Sequence, residues 1–241
     1  MTRITLLAFL IITTAASCVF VGGKRVKGNG NISSIEKNVS DFNQVEVSGA
    51  IDVHVSQGEL RPVRIEGDEN LLSYVEVDQV GDKIEVRTKK GFNLKPTKKM
   101  KLYLSSPNYS RLDVSGACNI NSDNKLTLNN PLTLEVSGAG DINVDVNAPR
   151  VEARVSGSGN VNMEGETKNF ELKISGAGDA KCYELLTENT KVNISGAGSA
   201  EVFASVELDA HVSGAGSIKY KGNAPKVNQH VSGAGSVKKA E

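Results

Sequence analysis

Residues 134–159 read LEVSGAGDINVDVNAPRVEARVSGSG, and this stretch decides the fold. It carries the word Ser-Gly-Ala-Gly at Ser137 and the variant Ser-Gly-Ser-Gly at Ser156. Apolar and polar residues alternate before each word, as in Leu134-Glu135-Val136, and again after it, as in Ile142-Asn143-Val144. Alternation with a period of two is typical of a strand with one buried face. The stretch therefore reads as strand, tight corner, strand.

The same word, or a close variant, recurs along the chain. It begins at Ser48, Ser115, Ser137, Ser156, Ser175, Ser195, Ser213 and Ser232. From Ser115 onward it returns at nearly constant steps of about 19 residues. A unit this short cannot bury its own apolar face, so each unit must stack on the last, with parallel strands about 4.8 Å apart. The sequence predicts an all-β protein, a parallel β-helix (solenoid) with coils of about 19 residues.

A propeller or a sandwich of hairpins is the competing architecture. Propeller blades are about twice as long as this repeat. Successive hairpins would also show Asn-Gly or Asp-Gly turns between their strands, whereas this chain shows one recurring corner word. The first Gly of that word predicts a corner with positive φ or a close backbone approach. These features favour the β-helix.

The first residues form a targeting segment rather than part of the fold. Arg3 precedes an apolar run, residues 4–12, that is too short to span a bilayer as a helix. Small residues at 15–17 then lead into Cys18, a pattern that resembles the lipobox of bacterial lipoproteins. The resemblance implies cleavage before Cys18 and lipid attachment to its sulfur. Val19 follows that cysteine, and in systems resembling the best-studied Gram-negative ones this permits transport to the outer membrane.

Four parts are expected along the chain. They are a signal peptide at 1–17, a flexible Gly-rich tether at 18–31, an atypical N-terminal β region at 32–110, and a regular β-helix at 111–241. The long gap between the corner words at Ser48 and Ser115 leaves open whether residues 52–110 form degenerate coils or an antiparallel elaboration that caps the stack.

The charge balance bears on the partners. The chain has 28 basic and 28 acidic residues and a formal net charge of zero. Nucleic acid is not an expected partner, because binding phosphates needs a net positive face. The expected partners are a membrane, through the lipid anchor, and a glycan or protein ligand. Self-association through exposed coil ends is a further interpretation.

Acidic residues recur just after the corner word, at Asp141 and Asp179, with Asn160 between them. Stacked coils would place the two aspartates about 10 Å apart, a separation compatible with a pair of glycosidase carboxylates or with a shared cation. Asp and Asn also stabilise tight corners through their own side chains, which is the favoured interpretation. Both aspartates are weak site candidates only.

His211 and His230 occupy the same outward position in adjacent coils. We expect them about 5 Å apart, but two exposed histidines without a third ligand make a poor metal site. They too are weak candidates. No arrangement of Ser, His and Asp indicates a triad, and no catalytic residue, metal or cofactor is predicted.

Cys118 and Cys182 are predicted to be free thiols. Their corner words are three coils apart, about 14 Å along the stack, which is too far for a disulfide. Cys182 aligns with Val144, Met163 and Val202, so it is expected to be a small buried hydrophobe.

The corner words, the Asp-Phe-Asn-Gln-Val run at 41–45 and the Gly-Asp-Ile-Asn corner at 140–143 resemble the "putative auto-transporter adhesin, head GIN domain" family. The resemblance spans about residues 40–237. It implies a right-handed β-helix and an exported location, typical of Bacteroidetes lipoproteins, and it transfers no catalytic residue.

Three functions remain open on the sequence. The leading hypothesis is an exported, lipid-anchored and non-catalytic scaffold for adhesion or ligand binding at the cell envelope, with its leaflet undetermined. The alternatives are a carbohydrate-active enzyme on the same fold and a structural spacer in the envelope. A pocket lined by two or more carboxylates would favour the enzyme.

Overall fold

The computed structural model describes residues 23–240. Strand accounts for 68% of the structure and helix for 2%, and the parallel strands stack into a β-helix of about six turns. The predicted fold class is confirmed. Cys18 and the signal peptide lie outside the described residues, so those predictions stay predictions. Among residues 23–240, no helix is both long and apolar enough to cross a bilayer.

Residues 23–240 form twenty-two strands and one short helix. In chain order they are β1 (Lys24–Lys27), β2 (Ile32–Lys37), β3 (Gln44–Gly49), β4 (Ile51–Gln57), β5 (Val63–Asp68), α1 (Glu69–Leu72), β6 (Val75–Val80), β7 (Lys83–Thr88), β8 (Phe92–Lys95), β9 (Met100–Ser106), β10 (Arg111–Gly116), β11 (Asn119–Ser122), β12 (Leu126–Thr127), β13 (Leu132–Gly138), β14 (Ile142–Gly157), β15 (Val161–Gly176), β16 (Asp179–Cys182), β17 (Leu185–Gly196), β18 (Ser199–Phe203), β19 (Glu207–Gly214), β20 (Ser217–Lys221), β21 (Lys226–Gly233) and β22 (Ser236–Lys239).

The strands before each corner form one parallel sheet, here called sheet A. It runs β7, β3, β10, β13, the second halves of β14 and β15, β17, β19 and β21. Throughout sheet A, each corner serine pairs with the corner serine of the next coil, from Ser48 to Ser232. The corner words therefore stand in a single column, as the stacking argument requires.

The strands after each corner form sheet B. It runs β9, β4, β11, the first halves of β14 and β15, β16, β18, β20 and β22. A shorter third side joins β12 to residues 146–148, 165–167 and 185–187. Each regular coil thus has three sides around one core.

The core is a set of ladders of aliphatic side chains. Alternation puts every second residue of a strand inside, and the in-register stacking aligns those residues from coil to coil. One buried ladder of sheet A consists of Val45, Leu112, Leu134, Ala153, Leu172, Val192 and Ala210. The same alternation places the polar columns on the outer face of each sheet, which positions the candidate site.

The corner requires glycine for two different reasons. Gly157 has φ of +129°, a backbone conformation that L side chains rarely adopt. Gly159 has an ordinary φ, but a Cβ there would lie 1.9 Å from the carbonyl oxygen of Gly140 in the coil below. Between them, the amide of Ser158 donates to the carbonyl of Gly138 at 2.9 Å and joins neighbouring corners.

Residues 58–106 cap the N-terminal end of the stack. Strand β10 pairs directly with β3, while β7 and β9 pair in parallel with the opposite edges of β3 and β4. Strands β7 and β9 form one more coil beneath the coil of the first corner word, although they follow that word in sequence. Strands β6, β5 and β2 then close this end in antiparallel pairing. Both possibilities left open for this region are present, a coil and an antiparallel cap.

The predicted tether, residues 18–31, contains an ordered strand. Strand β1 pairs in parallel with β8 as a separate two-stranded sheet. After it, the amide of Gly30 donates to the carboxylate of Asp68 at 2.7 Å. Asp68 also accepts hydrogen bonds from the amide and hydroxyl of Thr97, both at 2.8 Å. Residues 24–31 are therefore attached to the cap by pairing and hydrogen bonds.

The C-terminal coil ends the stack with polar residues at inward positions. Gln229 continues the column of Ala210, and Lys239 continues the column of Tyr220. Val231, which follows the fully buried Val212, is 40% exposed. Polar and charged groups at inward positions of an edge coil oppose the addition of further strands.

Candidate functional site

A groove on the outer face of sheet A is the candidate site. It has a volume of about 570 Å³ and runs along the stack, across six coils. One wall is a row of exposed corner hydroxyls: Ser156, Ser175, Ser195, Ser213 and Ser232. The other wall is the outward column two residues earlier: Glu135, Arg154, Lys173, Asn193, His211 and His230. The site is an open trough rather than an enclosed cavity.

The repeat itself builds this groove. Residues at i and i+2 of a strand project from the same face, so each coil contributes one long polar side chain and one short serine. Because serine and the following glycine are small, a depression forms beside the taller column. Between the two walls lie the backbones of Val155, Ile174, Ile194 and Val212, whose side chains point into the core. Each coil adds one serine and one outward polar side chain about 4.8 Å further on.

The cationic wall residues are held in place by ion pairs within sheet A. Arg154 contacts Glu152 at 2.7 Å and Glu135 at 3.8 Å. Lys173 contacts Glu171 at 2.8 Å and Glu152 at 3.2 Å. Exposed pairs of this kind add at most about 1 kcal/mol each to stability. Their effect here is to fix the direction of two long side chains along the groove.

The same ion pairs shift the pKa values of Lys173 and Glu152. The bonds to Glu171 and Glu152 raise the pKa of Lys173 above its ordinary value. Burial works to raise the pKa of Glu152, but the hydrogen bonds from Lys173 and Arg154 outweigh it and hold that pKa below its ordinary value. Both groups are charged at neutral pH, so a ligand meets a wall of fixed, mutually compensated charges.

The two candidate histidines both line the groove. Their rings stack obliquely with centroids 5.9 Å apart, and Nε2 of His211 lies 2.8 Å from Oδ1 of Asp209. Among residues 23–240, no group of three or more His, Cys, Asp or Glu side chains has the arrangement of a metal site. Both imidazole rings are accessible from the groove.

Asp141 and Asp179 do not line the groove; they belong to a ladder at the start of sheet B. Oδ1 of Asp141 accepts the backbone amide and the side-chain amide of Asn160, both at 2.9 Å. Asn160 in turn accepts the amide of Asp179 at 3.4 Å, and Asp179 accepts the amide of Ser199 at 3.1 Å. Each side chain thus receives the backbone amide of the next coil. The two aspartates contact corner backbone rather than an open cleft.

A second depression contains three carboxylates that the sequence reasoning missed. It has a volume of about 400 Å³ and is lined in part by Asp145, Glu164 and Glu184, with Lys181 beside them. Asp145 and Glu164 are register partners on adjacent coils. Oδ1 of Asp145 is buried and accepts no hydrogen bond among the described residues, although Nζ of Lys125 lies 3.5 Å away. The sequence contains a signal for the pair Asp145 and Glu164, because they occupy equivalent positions in successive units, each directly after an inward-facing residue.

Cys118 and Cys182 are both buried, and neither forms a disulfide within the described chain, as predicted. Cys182 pairs with Val202 in sheet B and packs as an aliphatic side chain would. Burial raises the pKa of Cys182 to about 12 and also raises that of Cys118. Neither sulfur is a reactive thiolate at neutral pH.

Comparison with known proteins gives a family match. The family model described as "putative auto-transporter adhesin, head GIN domain" matches residues 41–224. No functionally curated protein matches the chain.

Solved structures share the fold over nearly the whole chain. A structure described as a "putative adhesin" from Bacteroides fragilis has a TM-score of 0.84 at 21% identity, covering 89% of this chain and 100% of that one. A "putative lipid binding protein" from Parabacteroides distasonis has a TM-score of 0.76 at 23% identity, with 90% and 100% covered. A "putative adhesin" from Parabacteroides merdae has a TM-score of 0.68 at 25% identity, with 91% and 100% covered.

Proposed function

This chain belongs to the putative auto-transporter adhesin, head GIN domain family, and from that premise we propose a non-catalytic adhesion protein of the cell envelope that binds a linear glycan in the groove of sheet A. The adhesin-type family and its adhesin-like structural neighbours fit an exported, non-catalytic role. The finer parts of the proposal are the ligand, its site, and a lipid anchor at Cys18 in the outer membrane.

One observation carries the choice of ligand, namely the repetition of the groove. Each coil presents one corner serine hydroxyl and one outward polar side chain, at steps of about 4.8 Å, and the polar side chain differs from coil to coil. A linear polymer lying along the groove would meet a serine hydroxyl and a polar side chain at each step. Hydroxyl, amide, imidazole and guanidinium groups can all hydrogen-bond to sugar hydroxyls.

Support for the anchor comes from the sequence. The apolar run at residues 4–12, the small residues at 15–17 and Cys18 form a lipoprotein leader pattern. A lipid at Cys18 would hold the protein at a membrane and leave the β-helix in the aqueous phase. Intact-mass measurement of the protein from its native membrane tests this, with an added diacylglycerol and acyl mass expected at the N-terminal cysteine.

The groove is tested with the mature chain carrying Cys18→Ser, which removes the lipid and keeps all described residues. This protein should bind one or more linear oligosaccharides in a glycan array. Ser175→Trp and Ser195→Trp should each weaken that binding at least tenfold, because an indole fills the trough between the walls. Both serines are exposed, so the unfolding temperature should change little.

Ser115→Trp is the matched control. Ser115 holds the same place in the corner word and is also exposed, but it lies outside the groove. Its binding should equal that of the unsubstituted protein. Equal losses in all three variants, or no saturable glycan binding at all, would contradict the proposal and leave the envelope spacer as the better description. Sedimentation equilibrium on the same samples reports any self-association.

The second depression favours one other candidate, a glycan-cleaving enzyme. Glycoside hydrolysis needs two carboxylates close together, and Asp145 and Glu164 are neighbours on adjacent coils. Release of reducing ends from the array ligands would be measured over days with the unsubstituted protein and with Asp145→Asn. The adhesion proposal expects none from either; turnover that Asp145→Asn abolishes would establish an enzyme instead.

A further inference from the structure

The small sheet of β1 and β8 bears an unusual set of charges. The two strands pair in parallel, with Val26 opposite Leu94 and Lys27 opposite Lys95. Val26 and Leu94 are half-buried on the face toward the cap, where Phe92 also packs 4.6 Å from the ring of Tyr74. Lys27 and Lys95 project from the opposite, exposed face. Like charges directly opposite each other destabilise a strand pair.

The flanking residues enlarge this positive region. We define the basic end as the seven exposed cations of β1, β8 and the turns beside β8: Lys24, Arg25, Lys27, Lys89, Lys90, Lys95 and Lys98. The turns are held close to the sheet, because the amide of Lys24 donates to the carbonyl of Gly91 at 2.7 Å. All seven charges therefore sit on one small element at the N-terminal end of the stack.

The basic end lacks the charge compensation found on the wall of the groove. On sheet A each cation of the groove wall contacts a carboxylate of its own or the next coil. Within residues 23–240, no carboxylate lies within ion-pair distance of any of the seven basic-end cations. The buried carboxylate of Asp68, nearby in the cap, is occupied by Gly30 and Thr97. Seven cations with no ion-pair partner among the described residues are thus grouped on one small element of a chain with zero net charge.

We propose that the basic end docks on the anionic lipid headgroups of the membrane that carries the anchor. This inference rests on the proposed lipid attachment at Cys18. Five residues separate Cys18 from Lys24, and a fully extended chain of that length spans only about 20 Å. The anchor therefore keeps the basic end within about two Debye lengths of the headgroups. Clusters of four to eight Lys and Arg beside a membrane anchor bind anionic lipids.

Docking would also set the direction of the groove. The groove begins near Glu135 and extends to the last coil at Ser232, away from the N-terminal cap. With the basic end against the headgroups, the cap faces the membrane and the glycan-binding coils stand furthest from it. A two-point attachment, lipid and charge, holds a protein more stably than either alone.

The test uses the mature chain with Cys18→Ser, so that only charge can hold it to a membrane. Sedimentation would be measured with vesicles of phosphatidylcholine alone and with vesicles in which about a third of the lipid is phosphatidylglycerol. The protein should bind the anionic vesicles only, and binding should fall as salt is raised from ~0.05 to ~0.5 M. Arg25→Gln, Lys27→Gln and Lys95→Gln together should weaken binding about a hundredfold, at about fivefold for each charge removed near the surface.

The matched control removes three exposed lysines of sheet B, on β16, β20 and β22, with Lys181→Gln, Lys219→Gln and Lys238→Gln. This control has the same net charge and should bind as the unsubstituted protein does. Equal binding to neutral vesicles, or an equal loss in the two triple variants, would overturn the inference. Because the protein carries no lipid and the vesicles carry no glycan, these results are independent of acylation and of the groove. Far-UV circular dichroism confirms that both triple variants are folded.

Discussion

Gly159→Ala offers the sharpest test of how the coils are stacked. Gly159 ends a corner word and has an ordinary φ, so alanine meets no backbone strain of its own there. The new Cβ would lie 1.9 Å from the carbonyl oxygen of Gly140 in the coil below. Real Cβ atoms almost never approach another heavy atom within 3.0 Å, so the two coils must separate locally by about 1.1 Å. The substitution thus tests contact between coils.

The magnitude follows from the bonds beside that contact. The amide of Ser158 lies 2.9 Å from the carbonyl of Gly138, and the amide of Asn160 lies 2.9 Å from Oδ1 of Asp141. A separation of about 1.1 Å stretches both beyond hydrogen-bond range. Two lost bonds and residual overpacking together amount to about 3 kcal/mol. For a protein of this size, that lowers the unfolding temperature by about 6–12 °C.

The assay is thermal and urea unfolding followed by far-UV circular dichroism. Gly58→Ala is the matched control, because a Cβ there would meet its nearest atom, Oγ of Ser105, at an ordinary 3.6 Å. It should leave stability unchanged or raise it by about 0.4–1 kcal/mol, since alanine restricts the unfolded chain. If Gly159→Ala unfolded within about 1 kcal/mol of the unsubstituted protein, the close stacking of the corners would be wrong.

Three further outcomes are expected of the Cys18→Ser protein. Cys118 and Cys182 should resist alkylation at pH 8 in the folded state, because burial raises the pKa values of both thiols. After denaturation two thiols should react, and fewer than two reactive thiols would mean that a disulfide had formed. Asp68→Asn should destabilise the cap at pH 7, since one amide oxygen cannot replace the carboxylate that accepts three hydrogen bonds. Burial opposes the charge of Asp68, but the hydrogen bonds from Thr97 outweigh burial and lower its pKa. The carboxylate therefore contributes its full stabilisation above about pH 4, and this stabilisation is lost as the pH falls through the pKa of the folded state. The difference between the free energies of unfolding in urea at pH 7 and pH 3 should thus be smaller in the variant, and an equal difference would contradict this. Tyr109→Phe should cost about 1–2 kcal/mol in the same assay, because the single proton of the buried hydroxyl is shared between the backbone carbonyls of Ser56 and Leu104, at 3.1 and 3.2 Å. A neutral result would show that this shared hydrogen bond does not stabilise the protein.

The repeat predicts some features of the candidate site, and the features that do not repeat could not be predicted from the sequence. The repeat places His211 and His230 on one wall, because residues one repeat apart occupy the same position in adjacent coils. It also places Asp145 beside Glu164 on adjacent coils, a pair less conspicuous than Asp141 and Asp179 because it does not follow the corner word. The depth of the groove could not be predicted, since it depends on how far Arg154 and its neighbours stand above the serine row.

The basic end shows the limit of sequence reasoning more clearly. Strand β1 and strand β8 lie far apart in the chain, and neither carries the corner word. Their pairing, and hence the grouping of Lys27 with Lys95, depends on contacts with the cap that have no local signature. The Gly-rich composition by itself therefore predicts a flexible tether over residues 18–31.

Four features follow from the sequence: the all-β class, the parallel stacking, the alignment of the corners and the burial of Cys182. The reason is that the period-two pattern recurs in every unit, and only in-register stacking of the units buries all of its apolar columns. Only the tertiary structure decided that β7 and β9 stack beneath the coil that precedes them in sequence. The segment that contains β7 and β9 has no corner word to fix its register. These strands pair with the open edges of the first coil and cover its apolar end, and those edges and that end exist only once the first coils have folded.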